Sequence, residues 1–270
     1  YKARMKEGQK AIYYISASSK AAAASSPVLE GLRKKGYEVI VAIDQIDEIA
    51  LQGVGKYDDI DVLDAAKESA DDDAAEQSDE EKAAAEEKKK EYEATTAFLK
   101  EALGDQVDKV EVSTRLTASP SALVQPQWGM SPQMQRFMKA QAAAAGGADM
   151  MMGARAASLE RDPNHPVVLK LKAMVDAGDT GDEAKAFGTL LYEVAAVASG
   201  YELKDPTGFA GRIVLMMADA DAMAKFQEEV NSAAPPPPPA APAEEAELDI
   251  SKLVDEVASE AEAIVPEVTE

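Results

Sequence analysis

A chain of 270 residues with 46% hydrophobic content can build one or two globular cores, and 5% aromatics beside abundant alanine points to helices as the main element. A formal charge of −22 argues against nucleic-acid backbone binding, since an acidic surface offers no counterion release, and it suits basic or apolar partners. With no cysteine there is no disulfide, thiolate nucleophile or cysteine-based zinc site, and no apolar run approaches the ~20 residues that cross a bilayer.

Ile12, Tyr13, Tyr14 and Ile15 form a short strand-type run. Ser26 and Pro27 then open a helix with Leu29 and Leu32 inward, and Gly36 closes it. Residues 37–43 read as a second, more buried strand, so the order strand, helix, strand predicts a right-handed βαβ unit with parallel strands. Such a unit suggests a nucleotide site, but residues 16–20 hold no glycine where a pyrophosphate would approach. Gly53, Val54, Gly55 and Lys56 resemble a Walker sequence only loosely, without its spacing or the Ser/Thr after lysine. Residues 1–66 therefore read as scaffold.

Residues 67–104 are a charged connector. Asp71, Asp72 and Asp73 repel one another and lack the glycine-centred pattern of a calcium loop. From about Ser78 the composition favours a helix, with Tyr92, Thr96, Leu99 and Leu103 as its stripe and Gly104 at its end. Residues 105–232 form the next domain. Val110, Val112, Thr114 and Leu116 alternate on one strand, and Leu123 and Val124 suggest another.

Residues 130–141 are the most informative stretch. Ser131 as cap and Pro132 at the first helical position put Met134, Phe137 and Met138 on one face, with Met130 able to fold over it. A methionine-rich face can adapt to partners of different shape, although the same spacing also describes a core stripe. The flanks favour an outward face: Gln125, Pro126, Gln127, Trp128 and Gly129 lie before it, and Gly146 and Gly147 after it.

His165, the only histidine, sits in a two-proline turn with a capping role. Pro166 opens a helix with Val168, Leu171 and Val175 inward. No nucleophile elbow of the Gly-x-Ser-x-Gly form appears, so no catalytic residue is assigned, and no metal site either. Asp182 caps a helix with Phe187, Leu190, Leu191, Val194 and Ala198 apolar, ending at Gly200. Asp205 and Pro206 start another with Phe209, Ile213, Met216 and Met217, extending toward Met223, Phe226 and Val230. Val197 and Val214 widen both stripes. The hairpin can bury that width against a second copy in a four-helix bundle, or against residues 105–178.

Two blocks of sequence carry a family resemblance. Residues 4–10, the run Ile12 to Ile15, Ser26-Pro27, residues 34–39 and Ile46-Asp47-Glu48 resemble the end of the middle domain of the ninety-kilodalton heat-shock chaperones. Val110, Val112-Ser113, Arg115-Leu116, Ser119-Pro120, Arg136, residues 138–141, Pro163-Asn164-His165-Pro166, residues 190–193, Ser199-Gly200-Tyr201 and Arg212-Ile213 resemble their C-terminal domain. The likeness covers roughly residues 1–63 and 98–218. It departs at Ala17-Ser18-Ser19, where the family more often has Gly-Glu-Ser.

The resemblance implies that the closing hairpin is a constitutive homodimer interface built by Phe187, Leu190, Leu191, Val194, Ala198, Phe209, Ile213, Met216 and Met217. It implies that Met130, Met134, Phe137 and Met138, with Trp128, contact client proteins between protomers. Ile49 and Gln52 align with a further client-contacting pair; bacterial members have tryptophan where this chain has isoleucine, which alters that contact. ATP and magnesium belong to a domain upstream, so no cofactor and no enzyme activity are expected of this segment. Tyr1 in place of methionine, and a pattern starting mid-element, suggest a piece of a longer chain.

Residues 233–270 form a proline-rich acidic tail. Pro235 to Pro239 make a stiff spacer, and Ile250, Leu253, Val254, Val257, Ala261 and Ile264 recur at helical spacing, as a docking helix for a co-chaperone or a disordered segment. The ending Val268-Thr269-Glu270 matches neither the cytosolic nor the endoplasmic-reticulum terminus of the family, which suggests an organellar member, most like those of the chloroplast stroma, then mitochondrial or bacterial forms. The expected fold is a small α/β subdomain, α+β overall, then a mostly helical domain with a short sheet and a dimerising helix hairpin, and a disordered tail. A helical dimeric adaptor with one partner at the tail helix is the rival function, and a nucleotide enzyme the weaker one.

Overall fold

The computed structural model describes residues 1–68, 79–127, 129–144 and 156–217. Trp128, residues 71–73, Gly146, Gly147 and everything after Met217, including the proline run and the tail helix, lie outside the described residues.

The first sheet has the order β2-β1-β4-β3, formed by β1 (Ala11–Ser16), β2 (Val39–Ala42), β3 (Lys56–Tyr57) and β4 (Ile60–Asp64). β1 pairs in parallel with β2 (Tyr13 opposite Val39) and with β4 (Tyr14 opposite Asp64). The parallel βαβ unit is present, but the order of burial is the reverse of what the sequence predicts. Ala11 to Ile15 are all buried, whereas Ile40 and Val41 are exposed. β1 lies between two strands, and a strand covered on both faces carries a continuous apolar run; β2 is an edge. Between them come α1 (Lys20–Ser25), a 3-10 turn at Pro27–Leu29 and α2 (Glu30–Lys34). Thus Pro27 opens a short turn and not the whole helix, and Ser19 caps the helix before it by accepting from Ala22 N at 3.1 Å.

α3 (Gln45–Val54) starts at Asp44, whose backbone N–H donates to the Asp47 carboxylate at 3.3 Å. It ends at Gly55 (φ +61°), and Lys56 then enters the hairpin, where it pairs with Asp61 at 3.0 Å. The loose Walker sequence is therefore a helix terminus running into a turn. The turn itself uses Asp58 and Asp59 at φ +49° and +63°, where hairpins favour Asn-Gly or Asp-Gly, so sequence alone does not mark it.

The charged helix breaks in two, α4 (Asp79–Glu91) and α5 (Glu93–Leu103). The break is at Tyr92, which is buried and donates its hydroxyl to Pro163 O at 2.5 Å. The second sheet, β5-β7-β6, is made of β5 (Val110–Val112), β6 (Ser121–Val124) and β7 (Ser158–Arg161). β5 is shorter than the alternation through Leu116 predicts. Ser113 Oγ donates to Glu160 at 2.7 Å and accepts from the N–H groups of Arg115 and Leu116, turning the chain out of the strand.

α6 (Pro132–Ala144) follows β6, and then α7 (Pro166–Asp176), α8 (Asp182–Ala198) and α9 (Pro206–Met217) complete the fold. His165 caps α7, its ring nitrogen accepting from Val167 N. One core gathers Leu99, Val110, Leu159, Leu171, Leu191 and Ala195 from α5, α7, α8 and the second sheet. The other joins Tyr13, Ile15, Leu29 and Leu32 to Leu116 and Val124, so the first subdomain shares its core with the start of the next. Two polar clamps reinforce that seam. The Glu30 carboxylate accepts from the backbone of Thr117, Ala118 and Ser119 and from Ser119 Oγ at 2.6 Å. Burial opposes ionisation there, but these bonds win and hold its pKa below the usual range. Arg115 pairs with buried Glu160 at 3.1 Å and reaches Ala65 O.

Candidate functional site

Ser131 caps α6 as expected: its Oγ accepts from Met134 N at 3.0 Å, and its carbonyl from Gln135 N at 2.9 Å. The residue that positions this cap comes from elsewhere. Glu48 of α3 is buried, takes the Ser131 N–H at 3.3 Å on Oε1 and the Ser131 hydroxyl on Oε2. Gln133 donates to Ile43 O at 2.8 Å, just past β2. On the other side Arg136 donates to Gly200 O at 2.9 Å and Lys139 pairs with Glu202 at 3.2 Å. The polar face of α6 is thus tied at its start to the first subdomain and along its length to the α8–α9 link.

The apolar face is left half open. Met134, Phe137 and Met138 are half-buried and belong to neither core, and Met130 is 47% exposed. α3 shows inverted amphipathicity: Glu48 is its one buried residue, while Ile49 is 57% exposed and Ile46 more so. Gln52 is also exposed and donates to Glu48 at 3.3 Å. The Glu48–Ser131 link therefore brings the α3 and α6 members of the expected surface together. Sequence reasoning misses Glu48, because an acid among Ile46, Ile49 and Leu51 reads as the solvated side of a helix.

Beneath Glu48 lies a buried polar group. Tyr14 and Asp64 are register partners on β1 and β4, and Asp64 Oδ1 accepts from Ala66 N at 3.0 Å. Burial pushes the Asp64 pKa up to about 6, the Glu48 charge adding to it while the Ala66 N–H and Lys67 oppose it. Burial likewise raises the phenols of Tyr14 and Tyr201. A raised carboxyl pKa means that the folded state binds the proton more tightly. Asp64 therefore favours folding fully below about pH 4, and this contribution is lost as pH rises through about 6. The gap between that value and an ordinary aspartate is worth roughly 3 kcal/mol. Asp64→Asn is expected to raise stability at pH 7–8 by about 2 kcal/mol and to flatten the pH 4–6 slope relative to the parent chain in urea unfolding.

The residues expected at a dimer interface divide into two sets. Leu191 is in the core and Leu190 is buried, while Phe187, Phe209 and Ile213 are half-buried. Val194, Ala198, Met216 and Met217 are exposed, as are Val197 and Val214. α8 and α9 are locked at their crossing by the Arg212 guanidinium, which donates to both oxygens of buried Glu193. Beside them an apolar cavity of about 500 Å³ is lined by Pro120, Pro166, Phe187, Leu190, Val194 and Met216. Among the described residues no cluster of three or more His, Asp or Glu side chains is arranged to hold a metal.

The Hsp90 protein family profile matches residues 1–248. The chain belongs to the Hsp90 family. Its similarity to heat shock protein 83 of Leishmania donovani is 37% identity over 244 residues, 90% of this chain and 52% of that protein. It is 37% identical over 221 residues to heat shock protein 90-5, chloroplastic, of Arabidopsis thaliana, covering 82% of this chain and 27% of the relative. Against chaperone protein HtpG of Mycolicibacterium gilvum it is 34% identical over 211 residues, 78% of this chain and 31% of the relative. The chain thus spans about half or less of the length of these Hsp90 relatives. Their names support a chaperone function, and the relatives include a chloroplastic and a mitochondrial protein.

Proposed function

We propose that this chain is the client-binding and dimerising part of an ATP-dependent Hsp90 chaperone. The observation that carries the reading is the half-open apolar face of Met130, Met134, Phe137 and Met138, joined through Ser131 and Glu48 to exposed Ile49. Apolar side chains gathered on two elements and held in place by polar ties mark a surface for other proteins. Methionine lets such a surface repack on unrelated clients. Two copies, joined through the outer faces of α8 and α9 over roughly 1,200–2,000 Å², set two such faces opposite each other. ATP and magnesium act in another part of the parent protein, and this segment contributes binding, not catalysis. Movement there changes the spacing of the faces and so their affinity for a client in two states. An organellar setting, the chloroplast stroma first, is in keeping with a chloroplastic relative at 37% identity.

The test is suppression of aggregation of a heat-denatured model client. Replacing Met134, Phe137 and Met138 with serine is expected to leave the far-ultraviolet spectrum and melting point nearly unchanged and to abolish most of the suppression. A variant that unfolds would show the three side chains to be core, and one with full suppression would remove the surface from the account.

A further inference from the structure

β2 is a short edge strand whose residues Val39, Ile40, Val41 and Ala42 include neither lysine nor proline. Its backbone direction follows from one bond. Ala42 O accepts from Ala17 N at 3.0 Å, so Ala42 and, by alternation, Ile40 turn their peptide groups toward β1. Val39 and Val41 then present N–H and C=O away from the sheet. The next outward carbonyl, Ile43 O, is taken by Gln133 of α6. The open edge thus runs directly into the start of the helix that carries Met134, Phe137 and Met138. Ile40 and Val41 are each 36% exposed, so apolar side chains flank, on both faces, peptide groups that no strand among the described residues pairs with. Acidic residues lie on both sides of the strand: Glu38 before it is paired with Arg4 at 2.8 Å, while Asp44 and Asp47 follow it.

We infer that β2 accepts an extended segment of a non-native client as an added strand. The bound segment has alternating apolar residues, with a basic residue at the end that meets Asp44 and Asp47. Main-chain bonds to Val39 and Val41 give affinity for any β-prone sequence, and flanking charge biases the choice. The inference rests on the client-binding reading and narrows it from apolar surface in general to extended backbone.

Val41→Pro tests it, because proline is tolerated on an edge where the N–H faces solvent. The substitution removes one outward donor and leaves the ladder to β1 in place. The probe is a fluorescent seven-residue peptide, Lys-Val-Thr-Val-Thr-Val-Lys, titrated against the full chain by anisotropy. Binding is expected to weaken about tenfold or more in Val41→Pro with the melting point held, and the parent chain's Val39 and Val41 amides are expected to exchange more slowly with peptide bound. Val41→Lys, which keeps the N–H but adds an edge charge, is expected to weaken the same peptide and serves if the proline variant does not fold. Unchanged affinity in both variants would overturn the inference. So would protection of Val39 and Val41 that rises with chain concentration without peptide, since a second copy would then fill the edge. The two readings separate cleanly: if the Met134, Phe137 and Met138 serine variant loses aggregation suppression while Val41→Pro retains peptide binding, the edge fails and the client surface stands.

Discussion

Leu191→Asp is expected to unfold the chain, and Val197→Asp combined with Met217→Asp to halve its mass in solution without unfolding it. The two sets of residues lie on the same hairpin but face opposite ways. Leu191 is 3% exposed and packs among α5, α7 and the second sheet. A carboxylate there loses the leucine's burial and has no partner for its charge, a combined cost of about 5 kcal/mol or more, comparable to the stability of a whole domain. Val197 and Met217 are 53% and 81% exposed. Charges at those positions cost the single chain almost nothing but place like charges across a two-fold interface. Circular dichroism separates folding from assembly, and light scattering reads the mass. If the double variant keeps the mass of two chains, the outer faces of α8 and α9 are not the interface. If the unsubstituted chain runs at the mass of one, no dimer exists to explain their exposure.

This division shows where the sequence is readable. A periodicity of apolar residues identifies a helix, and Val197 and Val214, both exposed, do widen the stripes beyond what one partner surface needs. What periodicity does not tell is which edge of a wide stripe turns inward. The inward choice in α8 follows the small residues Ala184, Gly188 and Ala195, which let it approach α5; a Cβ on Gly188 would lie 2.9 Å from Leu99. Capping is legible where it is local: Ser131, His165 and the Asp205 side chain, which accepts from Gly208 N, each act within a few residues, whereas Asp182 lies inside α8, whose cap is Gly181 with no side-chain bond.

β7 is not legible for the opposite reason. Ser158, Leu159, Glu160 and Arg161 contain too much polarity for a buried strand, and the groups that meet that polarity come from distant parts of the chain. Ser113 and Arg115 meet Glu160, while Tyr92 and Thr96 meet Arg161, whose guanidinium also lies over the Tyr92 ring. Burial brings the Arg161 pKa down to about 10. No window of sequence contains those pairs.

Glu48→Ala is expected to release the start of α6 while leaving most of the fold intact. The substitution leaves the Ser131 N–H and hydroxyl in a buried place without their acceptor, at a cost of roughly 1–3 kcal/mol for each group. It also removes a negative charge beside Asp64, which acts the other way. Burial is the largest cause of the raised Asp64 pKa and the Glu48 charge a minor one, so the relief is small and the lost bonds win. A net cost near 2 kcal/mol would appear as roughly thirtyfold faster exchange of the Met134 and Gln135 amides, the two that Ser131 receives. Glu48→Gln keeps an acceptor oxygen for one of the two Ser131 donors and removes the charge, so its exchange should rise far less than that of Glu48→Ala. Client binding should follow the same order, with Glu48→Ala weakened and Glu48→Gln retained, because the carboxylate acts by fixing the angle between the Ile49 and Met134 faces and not by touching a client. Unchanged exchange in Glu48→Ala would mean that Gln133 on Ile43 and Arg136 on Gly200 hold the helix by themselves.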